Sequence, residues 1–200
     1  MAKRILLSGL ILFILVGCVR SSPSPQSESQ NTVIDTILDS FSAEDYKAGV
    51  IPDEALQTIL QCGQKATSSW NLQPWHFTVI RSGELISSLL AGGVAQREYK
   101  EGNVIIVISG MIKEEGISST FDCALATQNM YLAAQALGYG SRLYYDVIPM
   151  INSGMKDSLG IPEGYEAQIY LYIGNVADGV DATASASPRN PLGGNVNYID

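Results

Sequence analysis

The sequence has very few of the side chains on which metal and nucleophilic chemistry depend. Its 200 residues include one histidine and three cysteines. Zinc and haem sites and Ser-His-Asp triads need imidazoles or paired thiols, so these sites are almost excluded and no metal site or catalytic side chain is expected. Basic residues are scarce too: 12 Lys and Arg stand against 20 Asp and Glu, a formal net charge of −8. Since binding a polyanion needs a basic face, a nucleic-acid partner is excluded as well. What remains is an acidic single domain whose chemistry, if any, comes from a cofactor.

The N-terminus has the pattern of an export signal. Lys3 and Arg4 precede the uncharged run Ile5–Val16, which as a helix spans about 18 Å and is short for a bilayer core of about 30 Å. The run ends at Gly17-Cys18, which resembles a bacterial lipobox, in which the cysteine is lipidated and becomes the mature N-terminus. The alternative is an ordinary signal peptide with a chance cysteine.

Three segments follow from this pattern. Residues 1–17 are interpreted as a signal peptide, and residues 18–32, rich in Ser and Pro, as a lipidated, flexible tether. Residues 33–200 form the globular domain. The protein is therefore expected to be exported and to stay on the extracytoplasmic face as a membrane-anchored lipoprotein that touches the membrane only through its N-terminal lipid.

Helix and strand patterns alternate irregularly within the domain. Apolar spacing predicts helices at Val33–Phe41, from Pro52, from Ser82 to Leu90, at Phe121–Leu137 and at Pro149–Leu159. Strands are predicted at Trp75–Ile80, Val104–Ser109, Ser141–Tyr145 and Gln168–Val176. Val104–Ser109 is continuously apolar, so it should lie mid-sheet with both faces covered. This order predicts an α+β fold, a sheet with helices packed on both faces. The tail Asp178–Asp200 has no core pattern of its own.

Several motifs favour structural interpretations. Gly138–Leu143 fails as a dinucleotide loop because it follows a helix, not a strand, and lacks the third glycine. His76 lies in an alternating strand, where a structural histidine is the common case. Cys62 and Cys123 fall in helical apolar patterns, which favours buried thiols, although a disulfide is permitted in an exported protein. Glu114-Glu115 is typical of a solvated turn.

The loop Ala66–Phe77 is different. It places two tryptophans, a proline and several side-chain hydrogen-bonding groups in a turn that leads into a strand. Planar conjugated ligands need flat apolar surface with a few placed donors and acceptors. A well-packed loop that closes a core is the equal alternative on the residues alone.

This loop resembles that of the nitroreductase family of FMN-dependent oxidoreductases, whose pattern is roughly A-P-S-x-x-N-x-Q-P-W-x-F. Ser68, Asn71, Gln73, Pro74, Trp75 and Phe77 match it, and Thr67 replaces the first proline. Three further blocks follow in the family's order: Ala126–Gly140, Gly160-Ile161-Pro162, and Ser187–Leu192, which is similar to a C-terminal K-x-R-x-P-L segment. The likeness extends over essentially the whole domain.

The resemblance implies a fold and a site. The expected fold is an α/β/α sandwich with a mixed central sheet, which forms a homodimer with extended C-terminal tails and holds FMN at the dimer interface. Ser68 and Asn71 would contact the flavin ring or ribityl chain, with Gln73 in the same motif, and the backbone around Tyr144 and Tyr145 would face the flavin N5. Arg189 would reach the phosphate, and Ser42 is the matched residue of the N-terminal phosphate motif.

The phosphate motif also departs from the family. Family members begin with R-[RH]-S-x-[RK], whereas this chain has Ser40, Phe41, Ser42, Ala43 and Glu44, and Ser187 replaces the lysine of K-x-R. Arg189 is then the sole matched cation. Each lost charged hydrogen bond is worth about 1.5–3 kcal/mol, so the phosphate site is expected to be weakened. Lys47 or Arg142 are the candidates to compensate.

Two principal functions remain open. The first is an FMN enzyme that transfers hydride from NAD(P)H to a quinone, nitroaromatic or similar acceptor, in which the flavin carries the chemistry. The second is a degenerate, surface-tethered binding protein on the same scaffold, with another planar ligand or with weak or no FMN binding. The missing cations and the export signal favour the second, because NAD(P)H is scarce outside the cytoplasm. A structural dimer without a ligand is a third, weaker option.

Overall fold

A computed structural model of the chain describes residues 32–94, 97–112 and 119–199. The export signal, Cys18 and Glu114-Glu115 therefore lie outside the described residues. The helices are α1 (Thr32–Leu38), α2 (Asp53–Gln64), α3 (Gly83–Gly92), α4 (Ser119–Ala136) and α5 (Ile148–Gly154). The strands are β1 (Tyr46–Lys47), β2 (Trp75–Ile80), β3 (Val104–Met111), β4 (Gly140–Tyr144) and β5 (Tyr165–Val176).

Local sequence signals explain where the helices begin and end. Helix α2 starts directly after Pro52 with two acids in its first turn, where the positive end of the helix dipole favours them. The Ser82 side chain caps α3 by accepting a hydrogen bond from the Leu85 amide. Helix α1 ends at Leu38, before the predicted Phe41, because the backbone carbonyl of Phe41 accepts hydrogen bonds from Tyr131 and Gln135 of α4 instead.

Strand β5 organises the sheet. It pairs along one edge with β3 and along the other with β4 and β1, and β2 pairs with the far edge of β3. All these pairings are antiparallel, whereas the family resemblance implied a mixed sheet. The predicted position of Val104–Ser109 is confirmed, since β3 lies between β2 and β5 with both faces covered.

The side chains of β3 alternate between two cores. Ile105 and Val107 face one cluster with Leu89 of α3 and Ile151 of α5. Val104, Ile106 and Ile108 face the other, with residues of α2 and α4 that include Ile59 and Met130. Helices thus pack on both faces of one sheet, which confirms the predicted α+β sandwich.

The C-terminal tail follows β5 over the surface. It forms two short 3-10 turns, at Ala184–Ala186 and Leu192–Gly194, and its residues after Ser187 are exposed. One contact to the domain is a hydrogen bond from the Ser42 amide to the Ser187 hydroxyl, 2.9 Å long. No helix within the described ranges is long and apolar enough to cross a membrane.

Candidate functional site

The first part of the candidate site is the Trp70 turn, residues 68–73, which leads into β2. Three of its residues have left-handed backbone conformations, with φ of 50° at Trp70, 57° at Asn71 and 49° at Gln73. Such conformations cost a non-glycine residue about 1–3 kcal/mol, less for asparagine, and cluster at functional sites. The Trp70 side chain is 85% exposed. The turn therefore adopts a costly backbone conformation that places the Trp70 indole in solvent, where the indole adds no packing to the core.

Two hydrogen bonds fix this turn. The Ser68 hydroxyl accepts from the Gln73 amide at 3.0 Å, and a carboxylate oxygen of Asp122 on α4 accepts from the Ser69 amide at 3.0 Å. Asp122 is buried, and its other oxygen has no partner among the described residues. Asn71 and Gln73 are exposed on the surface of the turn, so their side chains are available to a ligand. The equal alternative, a loop packed to close the core, does not fit a turn with this much exposed side chain.

The second part combines the segment before β1 with the tail. The Ser42 amide bonds to Ser187, as above, and Arg189 donates to the backbone carbonyls of Ser187 and Pro188. Glu44 forms an ion pair with Arg142 of β4, and this hydrogen bond and charge lower the pKa of Glu44. The structure thus brings Ser42 close to the segment that carries Arg189, and it pairs Glu44, for which the family resemblance implied a cation, with Arg142.

The third part is the end of β4. The Tyr144 ring is partly buried, which raises its pKa, and it stacks on Tyr170 with ring centroids 5.4 Å apart. The Arg97 guanidinium lies over the Tyr144 ring, 3.6 Å from its centroid. Tyr145 is 76% exposed. The end of β4 therefore carries two tyrosine rings, with the guanidinium of Arg97 over one of them.

A cleft of about 250 Å³ opens beside Tyr144. Its walls are mostly aromatic and charged: Glu44, Asp45, Tyr46, Leu90, Arg97, Glu98, Lys100, Tyr144 and Tyr172. Ligand pockets usually measure about 300–1,000 Å³, so this cleft holds part of a flavin and not all of it.

The residues directly before β1, 42–45, are called the Ser42 segment. The Trp70 turn and the Ser42 segment lie at opposite ends of the sheet. Trp75, directly after the turn, pairs with Gly110, which pairs with Glu166 of β5. Tyr46, directly after the segment, pairs with Val176. Ten residues of β5 separate these positions, about 33 Å at 3.3 Å per residue. Within one protomer, the predicted ring contacts Ser68, Asn71 and Gln73 therefore do not meet Ser42, the predicted phosphate contact. Tyr144, also predicted beside the ring, shares the smaller cleft with Glu44.

A larger groove of about 940 Å³ runs between α1, α2 and α4. Its wall includes Val33, Ile37, Cys62, Leu132 and Ala133, with Gln73 at one end. It lies on the α2/α4 side of the sheet, whereas the lining of the smaller cleft includes residues of the opposite core. Size alone does not make it the ligand site, because Lys65 is the one charged residue in its lining. The cleft beside Tyr144 is lined by several charged side chains of both signs.

Comparison with known proteins places the chain. The Nitroreductase family pattern matches residues 42–105. The chain is 29% identical over 151 residues to a putative NADH dehydrogenase/NAD(P)H nitroreductase of Archaeoglobus fulgidus, a match that covers 73% of this chain and 86% of that protein. It is 26% identical over 175 residues to the NADPH-flavin oxidoreductase of Vibrio harveyi, covering 80% and 71%. The chain is similar to nitroreductases over most of its length.

Solved structures show the same nitroreductase fold. A Bacteroides fragilis nitroreductase with bound FMN superposes with a TM-score of 0.70 at 23% identity, over 85% of this chain and all of that chain. A Desulfitobacterium hafniense nitroreductase with bound FMN gives 0.71 at 23% identity, over 85% of this chain and 99% of that one. These likenesses establish the fold.

The two described cysteines are both free thiols. This decides between the alternatives that the sequence left open, in favour of unpaired side chains. Cys123 is buried, and burial raises its pKa to about 12. Cys62 is partly exposed on the wall of the larger groove. Within the described ranges, no cluster of three or more His, Cys, Asp or Glu side chains could hold a metal ion.

Three residues that hold parts of the candidate site belong to no sequence motif: Arg97, Asp122 and Asp146. Arg97 lies over the ring of Tyr144, Asp122 holds the Trp70 turn, and Asp146 bonds to Arg97. Their partners are 49 to 53 residues away along the chain, so no local motif joins them. The one local feature that the sequence shows is the place of Asp122 in the first turn of a helix.

The described residues fit a flavin ring better than a flavin phosphate. The exposed amides of Asn71 and Gln73, the indole of Trp70 and the guanidinium over Tyr144 supply flat surface with polar edges. At the phosphate end, Arg189 is turned back onto its own backbone and Arg142 is paired with Glu44. Lys47, the other candidate to compensate, is bonded to Asp178 at 2.5 Å.

Proposed function

We propose that this protein is a nitroreductase-like, FMN-dependent oxidoreductase that takes hydride from NAD(P)H and reduces a quinone, a nitroaromatic compound or a similar planar acceptor. The family match and relatives named for NAD(P)H and flavin oxidoreduction support this proposal. The single observation that carries it is the Trp70 turn, which holds an exposed indole and two exposed amide side chains in a costly conformation beside β2. A turn that served only to close the core would bury the indole.

The site is proposed to form between two copies of the chain. The Trp70 turn and the Ser42 segment lie about 33 Å apart along β5,. One cofactor touches both only if they come from different protomers. The cleft beside Tyr144, about 250 Å³ in volume, would be completed in the same way.

Exposed apolar side chains support this homodimer. Helix α1 exposes Val33, Ile37 and Leu38, and α4 exposes Phe121 and Leu125, which are one turn apart. The large groove lies between these helices. A second copy packed here would bury these side chains and cover the groove. The coreless tail, with Leu192, Tyr198 and Ile199 exposed, would lie along that second copy.

When bound, FMN supplies the hydride and electron transfer. The protein supplies binding and orientation. Ser68 keeps the turn closed, and Asn71 and Gln73 present amide donors and acceptors to the ring edge. The backbone of Tyr144 and Tyr145 would lie beside the ring. Arg97, held flat on Tyr144, would place a positive charge near the ring, where reduction adds negative charge. No side-chain acid or base is needed.

The phosphate site is proposed to be weakened. Ser42 and Arg189 are the residues that would contact the phosphate, while Glu44 lies close by and neutralises Arg142. We expect FMN to bind with little advantage over riboflavin, which lacks the phosphate. The alternative function, a surface-tethered binding protein with weak or no FMN, is favoured by the same ion pair.

We also propose that the protein is an exported lipoprotein. The apolar run that ends at Gly17-Cys18 supports it. Lipid on Cys18 would anchor the domain on the extracytoplasmic face of a membrane. Labelling with a fatty-acid analogue tests this: the wild type should carry the label in the membrane fraction, and Cys18→Ser should not. A labelled Cys18→Ser variant would contradict the lipid site.

The purified full chain separates the enzyme from the binding protein. An FMN enzyme should be yellow, or become so when FMN is added, and NAD(P)H should bleach it under anaerobic conditions. Asn71→Ala should weaken flavin binding, while Gln57→Ala, which removes an exposed amide of α2, serves as the control. A chain that stays colourless with added FMN and does not oxidise NAD(P)H would contradict the proposal and favour the binding protein.

A further inference from the structure

Asp146, directly after β4, is the centre of a small polar network. Its carboxylate accepts hydrogen bonds from the Tyr170 hydroxyl at 2.8 Å and from the Val94 amide at 3.1 Å. It also pairs with Nη2 of Arg97 at 3.3 Å, and Nη2 donates to the Tyr170 hydroxyl at 2.6 Å. The side chains of Asp146 and Arg97 are only 16% and 21% exposed. Solvent and salt therefore screen this pair less than the ion pairs on the open surface.

The network holds the Arg97 side chain in one position and sets a negative charge beside its guanidinium. The guanidinium lies 3.6 Å from the Tyr144 ring centroid, compared with 5.4 Å for Arg142. Since one face of Arg97 rests on Tyr144 and one nitrogen bonds to Asp146 and Tyr170, the side chain has little freedom to turn. Its positive charge is opposed at short range by Asp146.

We infer that Asp146 is a positioning residue that holds Arg97 beside the flavin ring and, by opposing its charge, keeps the reduction potential of the bound flavin low. This inference rests on the proposed function, because it requires a flavin ring beside Tyr144. Nothing in the sequence motifs marks Asp146, and its role follows from its contacts with three partners, Val94, Arg97 and Tyr170.

Charge arithmetic gives the direction of the effect. Reduction of a flavin adds negative charge to the ring, so a nearby cation favours the reduced form and a nearby anion favours the oxidised form. Arg97 and Asp146 therefore act in opposite directions. Removal of the Asp146 charge leaves Arg97 unopposed, and removal of the Arg97 charge leaves Asp146 unopposed.

The experiment is an anaerobic potentiometric titration of the flavin bound to the purified full chain, with dithionite as reductant. Asp146→Asn should raise the affinity ratio for reduced over oxidised flavin at least tenfold, about 30 mV for a two-electron couple. Arg97→Gln should lower the ratio at least tenfold. Asp53→Asn is the matched control, because it removes an 87% exposed acid paired with Arg81 outside the proposed site, and it should change the ratio less than threefold.

The direction in which each variant changes the affinity ratio distinguishes an electrostatic effect from damage to the fold. A purely structural role would move both variants in the same direction or not at all, and either result with flavin still bound would overturn the inference and leave the proposed function intact. A wild type that binds no flavin would overturn both. Should both variants fail to fold, Tyr170→Phe keeps the Arg97–Asp146 pair but removes one donor to Asp146. The ratio should then fall at least threefold, and an unchanged ratio would overturn the inference.

Discussion

Glu44 and Arg142 form an ion pair that joins the segment before β1 to strand β4. Glu44 is the residue that the family resemblance aligns with a cation of the phosphate motif. Because Arg142 is 30% exposed and Glu44 72% exposed, its effect on stability is small. Its effect on a bound anion is larger, since the one cation of β4 is already neutralised.

Release of Arg142 should restore some preference for phosphate. Glu44→Gln is expected to raise the affinity for FMN over riboflavin by up to about fivefold, because an exposed ion pair is worth up to about 1 kcal/mol and tenfold is 1.4 kcal/mol. Titrations of both flavins measure the ratio. Asp53→Asn, which breaks the exposed pair with Arg81, should leave it unchanged. An unchanged ratio in Glu44→Gln would show that Arg142 is not beside the phosphate.

Trp70 is expected to matter for ligand binding and not for stability. Trp70→Gly removes an exposed indole and relieves a left-handed backbone, so the free energy of unfolding should fall by no more than about 0.5 kcal/mol. Flavin affinity should fall at least tenfold. Chemical denaturation and flavin titration give the two values.

Trp75 provides the matched control for Trp70. It is partly buried and stacks on Phe77 with centroids 6.3 Å apart, so Trp75→Ala should destabilise the fold by about 2 kcal/mol or more. If Trp70→Gly proved as destabilising as Trp75→Ala, the indole of Trp70 would have a structural role and the proposed ring contact would lose its main support.

Asp122 should control the order of the Trp70 turn. Asp122→Ala removes the acceptor for the Ser69 amide, so hydrogen exchange at residues 69–73 should be faster by tenfold or more, while exchange in β3 stays slow. Mass spectrometry of short peptides resolves the two regions. Thr58→Ala, on the surface of α2, should change neither. Equal exchange in wild type and Asp122→Ala would exclude Asp122 as the anchor of the turn.

The two described cysteines should differ in reactivity. Cys123 is fully buried with a pKa of about 12, so about one thiol in ten thousand is ionised at pH 8. Cys62 is partly exposed. A maleimide at pH 8 should label Cys62 within minutes and leave Cys123 unlabelled until the chain is unfolded. Peptide mapping assigns the sites, and rapid native labelling of Cys123 would contradict the packing of α4 against β3.

The sequence predicted the elements whose signals are local. Trp75–Ile80 was predicted with the bounds that β2 has, and the continuous apolar run of β3 correctly indicated a strand covered on both faces. The end of α1 was wrong by three residues because Phe41 is held by distant side chains, Tyr131 and Gln135. Distance along the chain is the common cause of error.

The candidate site was predictable in the same uneven way. The motif of Ser68, Asn71 and Gln73 is contiguous, and it is found on one exposed turn. The network of Arg97 and Asp146 joins residues 49 apart in the chain, so only the folded sheet brings them together. The register of β5 is also needed to show that the Trp70 turn and the Ser42 segment lie at opposite ends of the sheet.

Light scattering coupled to absorbance of the purified full chain, near ~450 nm where oxidised flavin absorbs, tests the central claim most directly. The claim is that two protomers together form the flavin site. In the wild type, flavin absorbance is expected in a species with twice the mass of the chain. A Phe121→Asp, Leu125→Asp variant is expected to lose both the flavin and the double mass. A monomer that carries flavin at full occupancy would contradict it.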